Sequence, residues 1–249
     1  MAIAFDASYE SASGTTGSAS QASFSWLHAP AGTPKGVLVF TFTNANADDA
    51  TSVTYGGSSL TAVAGGRAVD TAGEPGDCKA WFLGTGVPTG TQTVTVNRNN
   101  NANVMYAVSV TVTSSQNSEV NTGGIVLVQE DGTIPSGQYV TDGGTGTGNS
   151  LRFAAINCGA DDFATVLGKP NPTTLFPDGN STWIHGIDYG TRVCGVVRET
   201  TAGVGFRPVG FFGPTEDRAA VHLAIRDVAG AAAKVVKDMI GLGILPFAR

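Results

Sequence analysis

The chain has 249 residues, only 14% of them charged, and a formal net charge of −6. With no Lys/Arg cluster, that balance lacks the positive surface a phosphate backbone requires and argues against a nucleic-acid partner. Glycine, at 34 residues, is about twice its usual share of roughly 7%, and abundant Thr, Val, Ser and Asn favour pleated strands and tight turns over helices.

An apolar fraction of 41% argues against wholesale disorder. The start, MAIAFDASYESASG, has neither the basic n-region nor the apolar h-region of a secretory signal. No apolar run approaches the roughly 20 residues of a membrane-spanning helix. The expectation is a chain made in the cytoplasm that stays soluble, with no membrane partner.

Ile3–Phe5 reads as a short strand and Asp6–Gln21, rich in Ser, Gly, Ala and Thr, as an arm or loop. Ala22–His28 alternates, with Phe24 and Trp26 on one side. Val37–Thr43 carries Leu38, Phe40 and Phe42 on one face and Val37, Val39, Thr41 and Thr43 on the other. Both faces are nearly apolar, the pattern of a central strand covered twice. Ser52–Tyr55 and Leu60–Ala64 read as a hairpin turning at Gly56-Gly57, where glycine supplies positive φ. Gly65–Asp77 reads as a loop. Cys78–Gly84 and Thr91–Asn97 are strands joined by a Gly/Pro-rich turn. Val104–Val112 alternates most cleanly, its valines and Tyr106 opposing Met105, Ala107, Ser109 and Thr111, and reads as half-buried.

Further strands are expected at Ile125–Gln129, Gln138–Thr141, Leu151–Asn157, Thr182–Tyr189, Thr191–Glu199, Gly205–Phe211 and Asp217–Asp227. The last turns Ala219, Val221, Leu223 and Ile225 inward. Cys158–Ser181, with three prolines, is the longest irregular segment and reads either as a contact loop or as a cap over one end of the fold. Beyond Gly230 the period changes. Ala232, Val235, Val236, Met239 and Ile240 recur at helical spacing, Gly241 and Gly243 end the helix, and an apolar tail follows. That face either folds back on its own sandwich or docks on a neighbour. Val235, Val236, Met239, Ile240, Leu242, Leu245 and Phe247 are therefore the candidate partner-contact residues. The whole is expected to be all-β, an antiparallel β-sandwich or jelly roll with a short C-terminal amphipathic helix. It divides into a strand and arm at 1–21, one sandwich domain at 22–228, and a helix and tail at 229–249.

The search for chemistry is brief. There is no GxSxG, and His28, His185 and His222 each stand alone on a strand, which favours structural roles. No HxH or HxxxH pair offers a zinc site. Asp48-Asp49, Asp161-Asp162 and Glu130 beside Asp131 carry oxygen ligands of the kind calcium takes, but none fits an EF-hand and all read as solvated loops. Trp26, Trp81 and Trp183 sit among apolar neighbours and read as core, not as a sugar platform. The GTGTG at Gly144–Gly148 lacks the lysine and helix of a phosphate loop. Cys78, Cys158 and Cys194 read as buried free thiols, with a Cys158–Cys194 cross-link left open. No catalytic residue, cofactor or metal is nominated, and the expectation is a non-enzyme.

The order of motifs adds a resemblance. VTYGGSSLTAV (Val53–Val63), Trp-Phe-Leu (Trp81–Leu83), PTGTQTVTV (Pro88–Val96) and the Val-rich strand to Val112 resemble a β-sandwich module of phage virion proteins and some secreted bacterial proteins, over roughly residues 22–228. Without an export signal, the virion context suits this acidic, Gly/Thr-rich chain better. The resemblance implies a capsid decoration or minor structural protein in the virion, contacting the major capsid protein or other virion proteins and forming small symmetric homo-oligomers. The alternative it leaves is a carbohydrate- or receptor-binding module, on a head fibre or tail accessory or as a secreted binding domain. No functional residue transfers from that family.

Overall fold

The computed structural model describes residues 3–11, 21–71, 76–99, 103–121, 125–130, 150–159, 181–189, 192–199 and 218–228. Within them the chain forms strands only. The first half supplies β1 (Ala4–Glu10), β2 (Ser23–His28), β3 (Gly36–Thr43), β4 (Ala50–Tyr55), β5 (Ser58–Ser59), β6 (Thr61–Asp70), β7 (Gly76–Leu83), β8 (Gln92–Arg98) and β9 (Met105–Thr113). The second half supplies β10 (Ser118–Val120), β11 (Val126–Glu130), β12 (Ser150–Gly159), β13 (Ser181–Tyr189), β14 (Arg192–Glu199) and β15 (Arg218–Asp227). The strands expected at Gln138–Thr141 and Gly205–Phe211, most of the long Cys158–Ser181 segment and the C-terminal helix lie outside the described residues.

All pairings are antiparallel, in three sheets. The middle sheet has the order β1-β9-β3-β7-β6, one flanking sheet β2-β8-β4-β5, and the other β10-β15-β12-β14-β13, with β11 also paired to β15. The first-half pairing is nested. β1 pairs β9, β2 pairs β8, β3 pairs β7 and β4 pairs β5, while β3–β9 and β4–β8 contacts join the nested pairs into sheets. This is the pattern of one long hairpin wound around itself.

Alternation along β3 explains the stacking. Leu38, Phe40 and Phe42 join Tyr106, Val108, Val110 and Val112 of β9 in a core shared with Leu151, Phe153, Val196, Val221, Leu223 and Ile225 of the third sheet. Val37 and Val39 face the opposite way and pack with Trp81, Met105 and Ala107 against Phe24, Trp26, Val53, Tyr55, Val94 and Val96 of the second sheet. Every residue of β3 is buried, as its two apolar faces lead one to expect. Trp26 and Trp81 lie in this core.

Several expectations are corrected. β9 is not half-buried, because Met105 to Val112 are buried on both faces. β1 runs to Glu10, so Asp6–Glu10 is sheet, held by β9, where an arm was expected. β6 continues to Asp70 through the presumed loop. A register irregularity between Ala62 and Arg67, with Gly65 at φ +71°, lets the strand bend and go on. The Gly56-Gly57 turn is present with both φ positive, but only Ser58, Ser59 and Leu60, whose N–H donates to Val53 O at 2.9 Å, return along β4 before Thr61 leaves for the middle sheet. β10 had no sequence signal.

β10 enters the third sheet through a tight junction. Ser118 lies between the ends of β3 and β7: its N–H donates to Gly84 O at 3.3 Å and its hydroxyl to Lys35 O at 2.6 Å. A Cβ on Gly84 would lie 1.9 Å from the Ser118 carbonyl oxygen and 2.6 Å from the Phe82 ring. Backbone cannot swing aside as a flexible side chain does, so Gly84→Ala is expected to lower unfolding free energy by about 1–3 kcal/mol, read by urea denaturation.

Candidate functional site

Three polar constellations lie among the described residues, each where sheets meet. The most buried is built on His28 at the end of β2. Its Nδ1 is 2.7 Å from Ser109 Oγ and its Nε2 3.1 Å from Thr111 Oγ1, both on the β9 face turned to the second sheet. Thr111 donates to Asp6 Oδ2 at 2.9 Å, Trp26 Nε1 donates to Ser109 Oγ at 3.0 Å, and Gly32 N donates to Asp6 Oδ1 at 2.8 Å. The one Ser109 hydroxyl proton has two acceptors in reach, His28 Nδ1 and Tyr9 O at 3.1 Å; when it goes to His28, Nε2–H donates to Thr111 and Thr111 to Asp6, which satisfies the chain through to the carboxylate. That assignment places the charge-assisted bond at the acidic end.

The order Ser–His–Thr–Asp has the polarity of a nucleophile relay. Access decides against catalysis, since Ser109 and His28 are both fully buried and no substrate reaches the hydroxyl. The network fastens the second sheet to the middle one. Burial, with the nearby His185 charge adding to it, holds the His28 pKa down at about 4, so the ring is neutral at physiological pH. The Tyr9 ring covers it at 4.8 Å between centroids and Tyr55 meets it edge-on at 5.6 Å.

The second constellation is partly open to solvent. Glu10, on β1, accepts the Tyr106 phenol hydrogen bond from β9 and lies 3.4 Å from His185 Nδ1 on β13. Glu10 is 40% exposed and His185 19%. The hydrogen bond from His185 is the main cause holding the Glu10 carboxyl below its ordinary pKa, with Tyr106 adding to it against the effect of burial. Burial pushes the Tyr106 phenol far up, which keeps it a donor. Arg198 of β14 stacks 4.2 Å over the Phe5 ring of β1. An ionised Glu10 is a poor proton acceptor at neutral pH, and the group works as a clamp joining the N-terminal strand to the third sheet.

The third constellation closes the opposite end of β3 and β7. Asn157 of β12, fully buried, donates through Nδ2 to Thr43 O and Asp77 O, each at 2.9 Å. Asp77 pairs with Arg67 Nε at 2.5 Å. Burial outweighs that guanidinium and raises the Asp77 pKa to about 7. Outside this group, Lys79 bonds both Asp48 oxygens, at 2.7 and 2.9 Å, and lies 4.4 Å from the centre of the Trp81 ring. Asp49 accepts from Asn103 Nδ2 at 2.6 Å. The Asp48-Asp49 pair is thus engaged by Lys79 and Asn103, and no group of three or more His, Cys, Asp or Glu positioned for a metal occurs among the described residues.

Cys78 is a buried free thiol and Cys194 is buried as well, while the Cys158 side chain, and with it the Cys158–Cys194 cross-link, lies outside what the structure describes. The register pairs Cys194 with Asn157 and Cys158 with Val193. The candidate contacts Val235, Val236, Met239, Ile240, Leu242, Leu245 and Phe247 lie outside the described residues, as do Asp161-Asp162, Asp131 and the glycines of Gly144–Gly148. Sequence reasoning missed the clusters of Asp6, Thr111 and Ser109 around His28, and of Glu10 and Tyr106 around His185. Each joins residues on three strands, and no local spacing announces them. No family model matches the chain, and no curated protein is significantly similar to it.

His222, buried on β15, is held at a pKa of about 4 by burial, as His28 is. A native pKa below the unfolded value of about 6.5 means the unfolded chain takes the proton first, so this stability is complete above pH ~6.5 and lost as pH falls toward 4. Asp77 works in the opposite sense, its contribution falling as pH rises through about 7. His222→Gln isolates one histidine. The gap in unfolding free energy between wild type and variant is expected to narrow by about 3 kcal/mol from pH ~7 to pH ~4 in urea titrations.

Proposed function

We propose that this chain is a non-enzymatic structural protein of a bacteriophage particle, decorating or cementing the capsid surface through protein–protein contacts. The observation that carries this reading is the nested pairing of β1 with β9, β2 with β8 and β3 with β7. With β4–β5 it follows the strand order of a jelly roll plus one added edge strand, β6. Jelly rolls recur in viral capsid and lectin domains. The VTYGG hairpin and the paired strands after it add the likeness to phage virion modules, and an acidic surface suits a protein partner better than packaged DNA. The third sheet adds a further layer to that unit. The partner is the major capsid protein or another virion protein, and the amphipathic 231–240 segment with its tail is the attachment element.

A second reading, a carbohydrate- or receptor-binding module, is favoured by one surface. The solvent face of the second sheet presents Ser23, Ser25 and Leu27 from β2, Thr93, Thr95 and Asn97 from β8, and Ser52 and Thr54 from β4, in register, with Leu27 the one apolar side chain among these and no charged one. Asn97 Nδ2 donates to Ser52 Oγ across it at 2.9 Å. Such a hydroxyl and amide lattice matches a neutral polyol in hydrogen-bonding chemistry.

Two measurements separate them. Purified protein mixed with undecorated capsids is expected to co-sediment, and a chain lacking residues 230–249 is expected to lose that binding; no co-sedimentation of the intact chain sinks the capsid reading. On a glycan array, the second reading expects binding that drops at least tenfold in Thr95→Ala/Asn97→Ala, and a blank array retires it.

A further inference from the structure

The sheet edges are not treated alike. At the ends of the middle sheet, β1 breaks register between Phe5 and Ala7 and carries Asp6 and Glu10, and β6 breaks register between Ala62 and Arg67. In the third sheet, β13 breaks register between Trp183 and His185, β10 is three residues long with Glu119 at its centre, and β11 ends on Glu130. The far edge of the second sheet, β5, is two residues long. Bulges, charges and short length are how folded proteins keep edges from pairing with other chains.

β2 has none of these. Ser23–His28 pairs with β8 over six residues in unbroken register and contains no charge and no proline. The side of β2 that pairs with no strand among the described residues is identified by two hydrogen bonds. Arg98 N donates to Ala22 O, and Gly56 N donates to Thr93 O. The first turns the backbone groups of Ala22, and so of Phe24, Trp26 and His28, toward β8. The second turns Thr93 toward β4, away from its partner Leu27. The N–H and C=O groups of Ser23, Ser25 and Leu27 therefore point out of the sheet. The large exposed hydrophobics among the described residues flank this edge: Leu27 at 65% exposure on β2 itself, and Tyr9 at 38% beside His28.

We propose that the β2 edge is a homodimer interface, in which a second copy of this chain adds its own β2 antiparallel about a two-fold axis at Ser25. The edge is self-complementary in that register. Ser25 pairs with its own copy, Ser23 with Leu27 and Leu27 with Ser23, so each outward N–H and C=O of the three residues meets its complement. Phe24 then faces Trp26 of the second copy, and the reverse, extending the aromatic stack the two rings already form at 5.9 Å. An extended strand offers donors and acceptors at this spacing, and a two-fold copy of β2 offers them with no group left over. The result joins two second sheets into one continuous sheet. This inference specifies the homo-oligomer expected of a decoration protein, and it is measured on isolated protein, so its failure is distinct from a failure to bind capsids.

The test is sedimentation of the full chain over a concentration series, with two variants. Ser25→Pro removes an outward N–H and no bond to β8, so the monomer is expected to fold with unchanged circular dichroism. Wild type is expected to sediment as a dimer and Ser25→Pro as a monomer at the same concentrations. Ser25→Cys is expected to cross-link into disulfide dimers under mild oxidation, because Cα atoms of a hydrogen-bonded antiparallel pair lie about 5.5 Å apart, within disulfide reach. Thr95→Cys, one strand in from the edge, is expected not to. A wild type that stays monomeric at every concentration overturns the proposal, as does association that survives in folded Ser25→Pro. Should Ser25→Pro fail to fold, the cysteine pair decides: cross-linking equal at both positions, or absent at Ser25, overturns it.

Discussion

The central strands of the middle sheet, β3 and β9, have no solvent face, and the rest of the architecture answers to that. A sheet covered on both sides must satisfy every polar side chain it carries from within, because an unpaired buried donor or acceptor costs roughly 1–3 kcal/mol. Toward the third sheet β3 and β9 present Leu38, Phe40, Phe42 and valines, and the one phenol there, on Tyr106, is satisfied by Glu10. Toward the second sheet β9 presents Ser109 and Thr111, both fully buried. They are tolerated because β2 delivers His28 and Trp26 to the same spot.

The same requirement fixes the third sheet to the middle one. Where β3 and β7 end as a pair, at Thr43 and Asp77, Asn157 crosses from β12 and takes both carbonyls. At the other end Ser118 is held against Lys35 and Gly84. The apolar core between these points supplies the bulk of the attraction, while the polar contacts fix how the layers sit. These contacts also make the fold responsive to pH in both directions. The buried histidines resist protonation and Asp77 resists ionisation, so their contributions oppose each other between about pH 4 and 7.

What the molecule shows to a partner follows from what the core leaves over. The described titratable clusters are spent on holding strands together, which leaves the outer surface of the second sheet neutral and rich in hydroxyls. The contrast between the guarded strands β1, β6 and β13 and the unguarded β2 is a property of the assembled sheets. In sequence, SFSWLH is one alternating strand among many.

Much of the strand pattern was legible in the sequence. Alternation is local, so the double apolar face of β3, the inward set of β15 and the positive-φ glycines at Gly56-Gly57 follow from spacing and steric freedom alone. The functional constellations were not. Ser109 and Thr111 on a strand read as a solvent face, and become interior only because His28, 81 residues away from Ser109, arrives opposite them. Asp6 and Glu10 sit in a low-complexity stretch that becomes sheet only because β9, about a hundred residues on, offers it an edge. The sequence by itself determined most of the strands and the apolar faces of β3 and β15, since those are short-range properties of side-chain size and alternation. The tertiary structure decided how many sheets there are, which polar groups are buried together and which edge stays open, because each depends on contacts the chain makes only after it has closed on itself.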